Sequence, residues 1–481
     1  MTVTLAQLMG GKRANGAVEI AGVTVDSRLV QAGDLFVALP GTKIDGREFI
    51  VDAVKAGASA ILTIPGTVVD ASIPVVEDRN PRRKYAELAS RFYADQPQTQ
   101  VAVTGTNGKT SVADFTRQLW QFMGSEAASV GTLGVQSNFY EKLGGLTTPD
   151  PMALHSALNA LVHAGVNHVA IEASSHGLDQ YRLDGVRFCA AAFTNLTRDH
   201  LDYHKSEQGY FYAKARLFGE LLAPGDAAVI NIDSSWGAVL DDIAWARGLE
   251  KLTVGMGKDA ALQLIDQQPD AMGQRVSFAF EGSSHEISLP LMGGFQAENA
   301  LLAAGLVIAT GGDKDACFAG LEVLKGVPGR MELMGTSARG GAVFVDYAHT
   351  PGGLSTVLQA ARAHNPNKLH LVFGCGGDRD AGKRPQMGEI AVKYADRIYV
   401  TDDNPRSESA AAIRSEILAA AHGAIEINDR GAAIECAISE LQAGDMLVVA
   451  GKGHEEGQIV GEDVLPFSDI KMVKNILAHG G

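Results

Sequence analysis

The stretch VAVTGTNGKTS, Val101–Ser111, decides how the rest of the chain is read. Val101–Val103 is an apolar run of strand type, Thr104–Thr110 is a loop punctuated by glycine, and a helix is predicted to begin near Ser111. In that order the three make a phosphate cradle. Gly105 and Gly108 free the backbone, so that N–H groups of the turn through Thr106, Asn107 and Ser111 can surround an anion at a helix N-terminus. Lys109 can then neutralise nucleotide phosphate oxygens, and the Thr110 hydroxyl can ligate Mg²⁺. Val103 stands where the general pattern G-x-x-x-x-G-K-[ST] has its first glycine, so an ordinary glycine turn with a surface lysine is the alternative.

Outward from this loop the pattern repeats. Apolar runs at His168–Ala173, Ala190–Asn195 and Ala227–Ile232 predict further strands, and a long helix is expected over Gln296–Thr310. Strands alternating with helices imply βαβ units and a mainly parallel sheet. Before the loop, short strands at Leu35–Leu39 and Ala60–Ile64 flank a helix near Phe49–Ala56. A helix over Pro81–Tyr93 and a linker, Ala94–Gln100, follow. After it, Gly326–Arg330 (GVPGR) marks a boundary. Beyond that boundary, strands are predicted at Ala342–Asp346, Leu369–Phe373, Arg397–Thr401 and Met446–Ala450. At roughly 150 residues per domain, 481 residues suit about three, here drawn at 1–97, 98–328 and 329–481, all α/β.

Polar residues gather where these strands end. Glu172 closes the run that opens IEASSHGL, His200 lies in TNLTRDHLDYH, and Lys214 falls on the next helix in YAKARLF. Singly, His200 reads equally as a capping or core histidine and Lys214 as a solvated lysine. Four more clusters, DYAHTP (Asp346–Pro351), GCGGDRDAGKRP (Gly374–Pro385), DDNPR (Asp402–Arg406) and GKGHE (Gly451–Glu455), each follow a predicted strand. Ligands of open α/β sheets sit at such strand ends, so the four together predict a binding rim.

Composition narrows the function. Lys+Arg 41 against Asp+Glu 56 leaves a net charge of −15, which disfavours nucleic acid or an anionic membrane as the main partner. Cys189, Cys317, Cys375 and Cys436 are widely spaced, which suggests neither a disulfide framework nor a zinc site. The first residues lack a signal-peptide pattern and the longest apolar run, Ala300–Ala309, is too short to span a bilayer. A cytoplasmic protein without membrane insertion is expected.

Taken in order, Asp26-Ser27-Arg28, TGTNGKT, IEASSHGL, TRDHLDYH, AENALLA from Ala297, PGRME from Pro328, DYAHTP, GDRDAGKRP and GKGHE resemble the Mur ligases, ATP-dependent amide-forming enzymes of peptidoglycan precursor synthesis. The run Asp403–Arg406 resembles the branch that adds meso-2,6-diaminopimelate to UDP-N-acetylmuramoyl-L-alanyl-D-glutamate. The resemblance implies an N-terminal domain for the UDP moiety, a central P-loop ATPase-like domain, and a C-terminal Rossmann-like domain that brings the amino acid. It implies that Ser27 contacts the uridine nucleotide and that Thr147, Thr148, Ser174, Gln180 and Arg182 hold the muramoyl dipeptide. Thr110, Glu172 and His200 would be magnesium ligands, joined by Lys214 as a carbamate, and Lys109, Glu172, His200 and Lys214 would be catalytic. Asn299, Arg330, Asp346 and His349 would join the loop Gly105–Ser111 around ATP. Arg379, Asp403, Asn404, Pro405, Arg406, Gly451 and Glu455 would hold diaminopimelate. The reaction implied runs through an acyl phosphate, in a protein expected to act as a monomer. An L-lysine-adding relative, a folylpolyglutamate synthase-type ligase and a non-catalytic nucleotide switch are the competing readings. The DSR and GDLFVALPG segments speak against the second, and the four C-terminal clusters against the third.

Overall fold

The computed structural model describes all residues except 1, 12–16, 42–43, 70–71, 139, 142–144, 271–272 and 480–481. Three sheets, each with its own apolar core, make a three-domain α/β architecture. In the first, Gly22–Thr24, Asp34–Val37, Ala60–Thr63 and Val75–Glu77 pair in parallel, in chain order. The helix Pro81–Phe92 closes one face. It starts with proline at its first turn and an Asn80 side chain that accepts from Arg83 N, and it buries Tyr85, Leu88, Ala89 and Phe92.

The central sheet has ten strands with Thr99–Thr104 inside it, between His168–Glu172 and Ala190–Phe193, both parallel to it. The middles of these strands are apolar because both faces are covered. Val101, Val103, Ala170, Ala190 and Ala192 pack into one core, Ala102, Val169, Ile171, Ala191 and Phe193 into the other. The helices Lys109–Phe122 and Gly294–Ala309 cover the first face. At Gly305 the second helix lies so near the sheet that a Cβ would stand 2.8 Å from Val229 Cγ1.

Two sequence expectations change here. The predicted linker Ala94–Gln100 gives up its last residues, because the strand begins at Thr99. The central sheet also continues into an antiparallel arm, Leu262–Pro269, Gln274–Phe280 and Ser283–Leu289, absent from the sequence reading.

In the third sheet the order is Glu332–Thr336, Ala342–Asp346, Met446–Ala450, Leu369–Phe373, Arg397–Val400 and Ile425–Glu426, parallel except at the first pair. The four strands followed by polar clusters are therefore adjacent, and their C-terminal ends form one rim.

Candidate active site

Thr99–Thr104 ends in a loop whose shape depends on glycine at two points. Gly105 has φ +148°, and a Cβ there would lie 1.9 Å from Thr194 Oγ1. Gly108 has φ +86°, and a Cβ there would lie 2.4 Å from Asn299 Oδ1. The neighbouring strand end holds the loop. Thr106 N donates to Asn195 O at 2.8 Å, Asn107 N to Asn195 Oδ1 at 3.0 Å, and Thr197 N to Thr106 Oγ1 at 3.0 Å. The helix then starts at Lys109, two residues earlier than predicted, with Ser111 buried in its first turn. Lys109 curls back, donating from Nζ to Gly105 O at 3.0 Å and Thr106 O at 2.8 Å. Two of its three donors are thus committed to the loop, and desolvation lowers its pKa.

Beside this loop Glu172 is 2% exposed, and both its carboxylate oxygens accept hydrogen bonds. Thr110 Oγ1 donates to its Oε2 at 3.0 Å, Thr132 N to its Oε1 at 2.8 Å, and Thr132 Oγ1 to its Oε2 at 3.2 Å. Arg330 Nη2 donates to Thr110 Oγ1 at 3.2 Å, which ties the start of the C-terminal domain to the central one. A carboxylate and a hydroxyl held together offer the oxygen ligands that a hard cation takes, so Thr110 and Glu172 fit Mg²⁺.

His200 and Lys214 are placed differently. His200 has φ +52° and occupies the N-cap position of the short helix Leu201–His204, with no side-chain cap bond. Its ring stands edge-on to His176, centroids 4.8 Å apart, and burial pushes its pKa down to about 4 against the pull of Asp199. Lys214 is not a solvated lysine. It is 1% exposed on the helix Glu207–Arg216, and its Nζ donates to Gly105 O at 2.7 Å. Two lysines thus share one carbonyl. Burial and the Lys109 charge drive the Lys214 pKa well below its ordinary value. Among the described residues no group of three or more His, Cys, Asp or Glu side chains is placed to hold a metal ion.

A cleft of about 550 Å³ separates the central and C-terminal domains. Thr147, Thr148, Ser174 and Arg182 line its central wall. Thr148 Oγ1 donates to Glu172 O at 2.8 Å and accepts from Ser174 N at 2.9 Å, while Thr147 Oγ1 lies 3.1 Å from Thr132 Oγ1. Arg182 donates to Thr148 O at 2.8 Å and to Gln180 Oε1 at 2.7 Å. Gln180 and Arg182 also line a second, smaller cleft of about 150 Å³, whose other wall is N-terminal: Val25, Leu39, Arg82 and Tyr85. Ser27 lines neither cleft. It sits two residues beyond Val25, in the one-turn helix Ser27–Leu29 that Asp26 caps.

The opposite wall of the large cleft is the C-terminal rim. Asp346 is 5% exposed and clamps backbone, accepting from Met331 N and Ala348 N at 2.7 Å each; burial raises its pKa to about 6. Arg330 stacks over the Tyr347 ring at 4.4 Å, His349 bonds the Tyr347 carbonyl at 2.9 Å, and Asn299 lies against Gly108. Arg379, Asp403, Asn404, Arg406, Gly451 and Glu455 face the cleft together. Arg406, at φ +52°, is pinned by a hairpin, with its N donating to Ile459 O at 3.0 Å and its O accepting from Gly461 N at 2.8 Å. Its Nη1 donates to Gly377 O at 2.7 Å. The Pro405 carbonyl crowds Gly377, where a Cβ would meet it at 2.0 Å. Burial would raise the Asp403 carboxyl, but Arg430 and Lys452 outweigh it and hold it low. Glu455 is raised by burial and by Asp403.

Sequence reasoning missed several members of this site. Thr132, which fixes Glu172, has no motif around it. His176 lies inside IEASSHGL and Lys452 inside GKGHE, so segments already marked contained them. Arg430 forms a buried bidentate pair with Asp469, 2.7 Å on both arms, and reaches Ala450 O at 2.9 Å beneath the rim. Only the tertiary structure brings it there.

Comparison with known proteins agrees with this geometry. Residues 19–93 match the Mur ligase family catalytic domain, 103–307 the Mur ligase middle domain, and 329–453 the Mur ligase glutamate ligase domain. A UDP-N-acetylmuramoyl-L-alanyl-D-glutamate–2,6-diaminopimelate ligase of Bradyrhizobium diazoefficiens is 53% identical over 468 residues, covering 97% of this chain and 96% of its own. One of the same description from Caulobacter vibrioides is 50% identical, covering 98% of each chain. A solved structure so described superposes with a TM-score of 0.72 at 32% identity, covering 100% of this chain and 99% of the other. Mycobacterium tuberculosis folylpolyglutamate synthase, solved with ADP and AMPPCP, shares the fold at 22% identity and TM-score 0.61, covering 77% of this chain and 92% of its own. With three domains matched in order and half of all residues shared along almost the whole length, this chain belongs to the Mur ligase family.

Proposed function

We propose that the protein joins meso-2,6-diaminopimelate to UDP-N-acetylmuramoyl-L-alanyl-D-glutamate, forming an amide at the cost of ATP. The observation that carries this is the cleft itself. One wall carries Thr148, hydrogen-bonded to Glu172 O, and Thr197, hydrogen-bonded to Thr106 of the P-loop, and the other combines a guanidinium, Arg406, with the carboxylates Asp403 and Glu455. Such a wall addresses an amino acid that has both acidic and basic groups at its far end. Domain boundaries are proposed at 97/98 and 328/329. The UDP moiety is assigned to the small cleft, and the dipeptide runs past Arg182 into the large one.

In this reading the D-glutamyl carboxylate attacks the γ-phosphorus of ATP and ADP leaves. The diaminopimelate amine then attacks the acyl carbon, phosphate leaves, and the amine proton is lost. The protein mainly positions and neutralises charge. The P-loop backbone and Lys109 hold the triphosphate, and Arg182 and Thr148 orient the acceptor. Thr110 and Glu172 would hold Mg²⁺, which offsets the repulsion between the two anions. Closure of the cleft keeps water from the acyl phosphate. A non-catalytic switch would hydrolyse or bind ATP alone. ADP release that needs both the UDP-dipeptide and the amine is the expected result, and ADP release without either would overturn the proposal.

Gly108→Ala tests the nucleotide assignment. A Cβ at φ +86° against Asn299 strains the loop by about 1–2 kcal/mol, so the KM for ATP should rise about tenfold or more. Binding of the UDP-dipeptide should stay unchanged. An unaltered ATP KM would contradict the cradle.

Lys214 is assigned as a carbamate in the working enzyme. Its neutral Nζ adds to the carbon of CO₂ and loses a proton, exchanging a cation for an anion. Burial and Lys109 favour the neutral amine that this needs. Native mass measurement in bicarbonate should show a gain of one CO₂ that Lys214→Ala lacks. Activity of Lys214→Ala should fall by about 10²-fold or more and recover in part with formate. Full activity of the variant would contradict the assignment.

A further inference from the structure

Lys452 has no task in the mechanism above, yet its side chain is 0% exposed. Enclosing an ammonium is costly unless it is fully partnered. Lys452 Nζ donates to Asn404 Oδ1 at 2.9 Å and to Gly457 O at 2.8 Å, with Asp403 Oδ1 at 3.6 Å and Glu455 Oε2 at 3.7 Å. It therefore ties together three segments: the loop after Arg397–Val400, the loop after Met446–Ala450, and the hairpin Gly457–Val460 with Asp463–Pro466. That hairpin is the one that pins the backbone of Arg406.

The consequence falls on Asn404. Its Oδ1 accepts from Lys452 and also from Ile459 N at 2.9 Å, while its Nδ2 donates to Glu455 Oε2 at 3.0 Å. An ammonium and a backbone N–H can only donate, so the amide cannot turn over in this setting. Asn404 lines the cleft, and with its oxygen doubly occupied it faces the ligand as a donor. A donor beside Arg406 addresses a carboxylate; a free amide oxygen would address an ammonium.

We propose that Lys452 is a positioning residue for amino-acid selection. Together with Ile459 N it locks the Asn404 amide with its N–H group as the one available to the ligand, and it balances Asp403 and Glu455 so that the rim favours a substrate carboxylate. This rests on assigning the cleft to a diamino dicarboxylic acid.

The test is Lys452→Met, which keeps the apolar stem and removes the donors. The KM for diaminopimelate should rise about tenfold or more and the preference over lysine should fall in parallel. The KM values for ATP and UDP-dipeptide should change less than about twofold, and kcat at saturating amine less than about threefold. Asn404→Asp is the second arm. It keeps the shape and pairs with Lys452, but it replaces the N–H group by an oxygen, so the KM for diaminopimelate should rise about a hundredfold. If Lys452→Met fails to fold, as judged by lost ATP binding, Asn404→Asp decides. An unchanged diaminopimelate KM in either variant, or a uniform loss for all three substrates, would overturn the inference. A wild-type protein that ignores diaminopimelate would instead remove the reading on which it rests.

Discussion

Replacing Lys109 by alanine should lower kcat by about 10³-fold or more, equivalent to roughly 4 kcal/mol of transition-state stabilisation. Binding of the UDP-dipeptide should stay close to wild type. The ammonium stands within its own loop, on Gly105 O and Thr106 O, so it is placed to meet phosphate oxygens that the loop surrounds. The small cleft assigned to the UDP moiety contains no P-loop residue, which is why the two effects should separate. A second change should accompany the first. Lys109 helps to depress the Lys214 pKa, so its removal should raise that pKa and disfavour the neutral amine. Calorimetry with the UDP-dipeptide and steady-state turnover check both parts. Near-normal turnover would mean that Lys109 is an ordinary loop lysine.

Arg406→Ala should produce the other large effect, confined to the amine. The distal end of diaminopimelate carries a carboxylate as well as an ammonium, whereas that of lysine carries only the ammonium. A guanidinium can bind the carboxylate through two parallel bonds, which a neutral side chain cannot reproduce. With lysine bound, Arg406 would face no anion in a partly desolvated cleft, a cost of about 2–5 kcal/mol, or roughly 30- to 4,000-fold discrimination. The substitution adds little backbone strain, because both residues are equally poor at the φ of +52° that the hairpin imposes. Measured kcat/KM should therefore fall far more for diaminopimelate than for lysine, with ATP and UDP-dipeptide KM values steady. Equal loss for both amines would refute a selecting role for Arg406.

The parts of this enzyme legible in its sequence are those that depend on local pattern. Val101–Val103, the middle of the strand Thr99–Thr104, was readable because both faces of its sheet are buried, which makes that stretch apolar, and glycine then follows its end. The four C-terminal clusters were readable because each directly follows such a strand. The antiparallel arm was less so, although Val276, Phe278 and Phe280 are buried in alternation with their neighbours; seven residues of period two give a weak signal. Residue placement needs the tertiary structure. Glu172 meets Thr110, whereas Ser27 lines neither of the two clefts and Asp346 holds backbone. The enclosure of Lys214 and Lys452, and the pair Arg430–Asp469, depend on segments far apart in the chain. Burial of that kind has no periodicity for the sequence to display.

The central claim is that this cleft forms an amide between a UDP-muramoyl dipeptide and a diamino dicarboxylic acid. Incubating the protein with ATP, Mg²⁺, UDP-N-acetylmuramoyl-L-alanyl-D-glutamate and, in turn, meso-diaminopimelate, lysine or ornithine tests it most directly, with product mass as the readout. The expected result is a product heavier than the UDP-dipeptide by one diaminopimelate less one water, formed with stoichiometric ADP, and little product with the other two amines. A product with lysine in preference to diaminopimelate, or ADP formed without any amide, would contradict it.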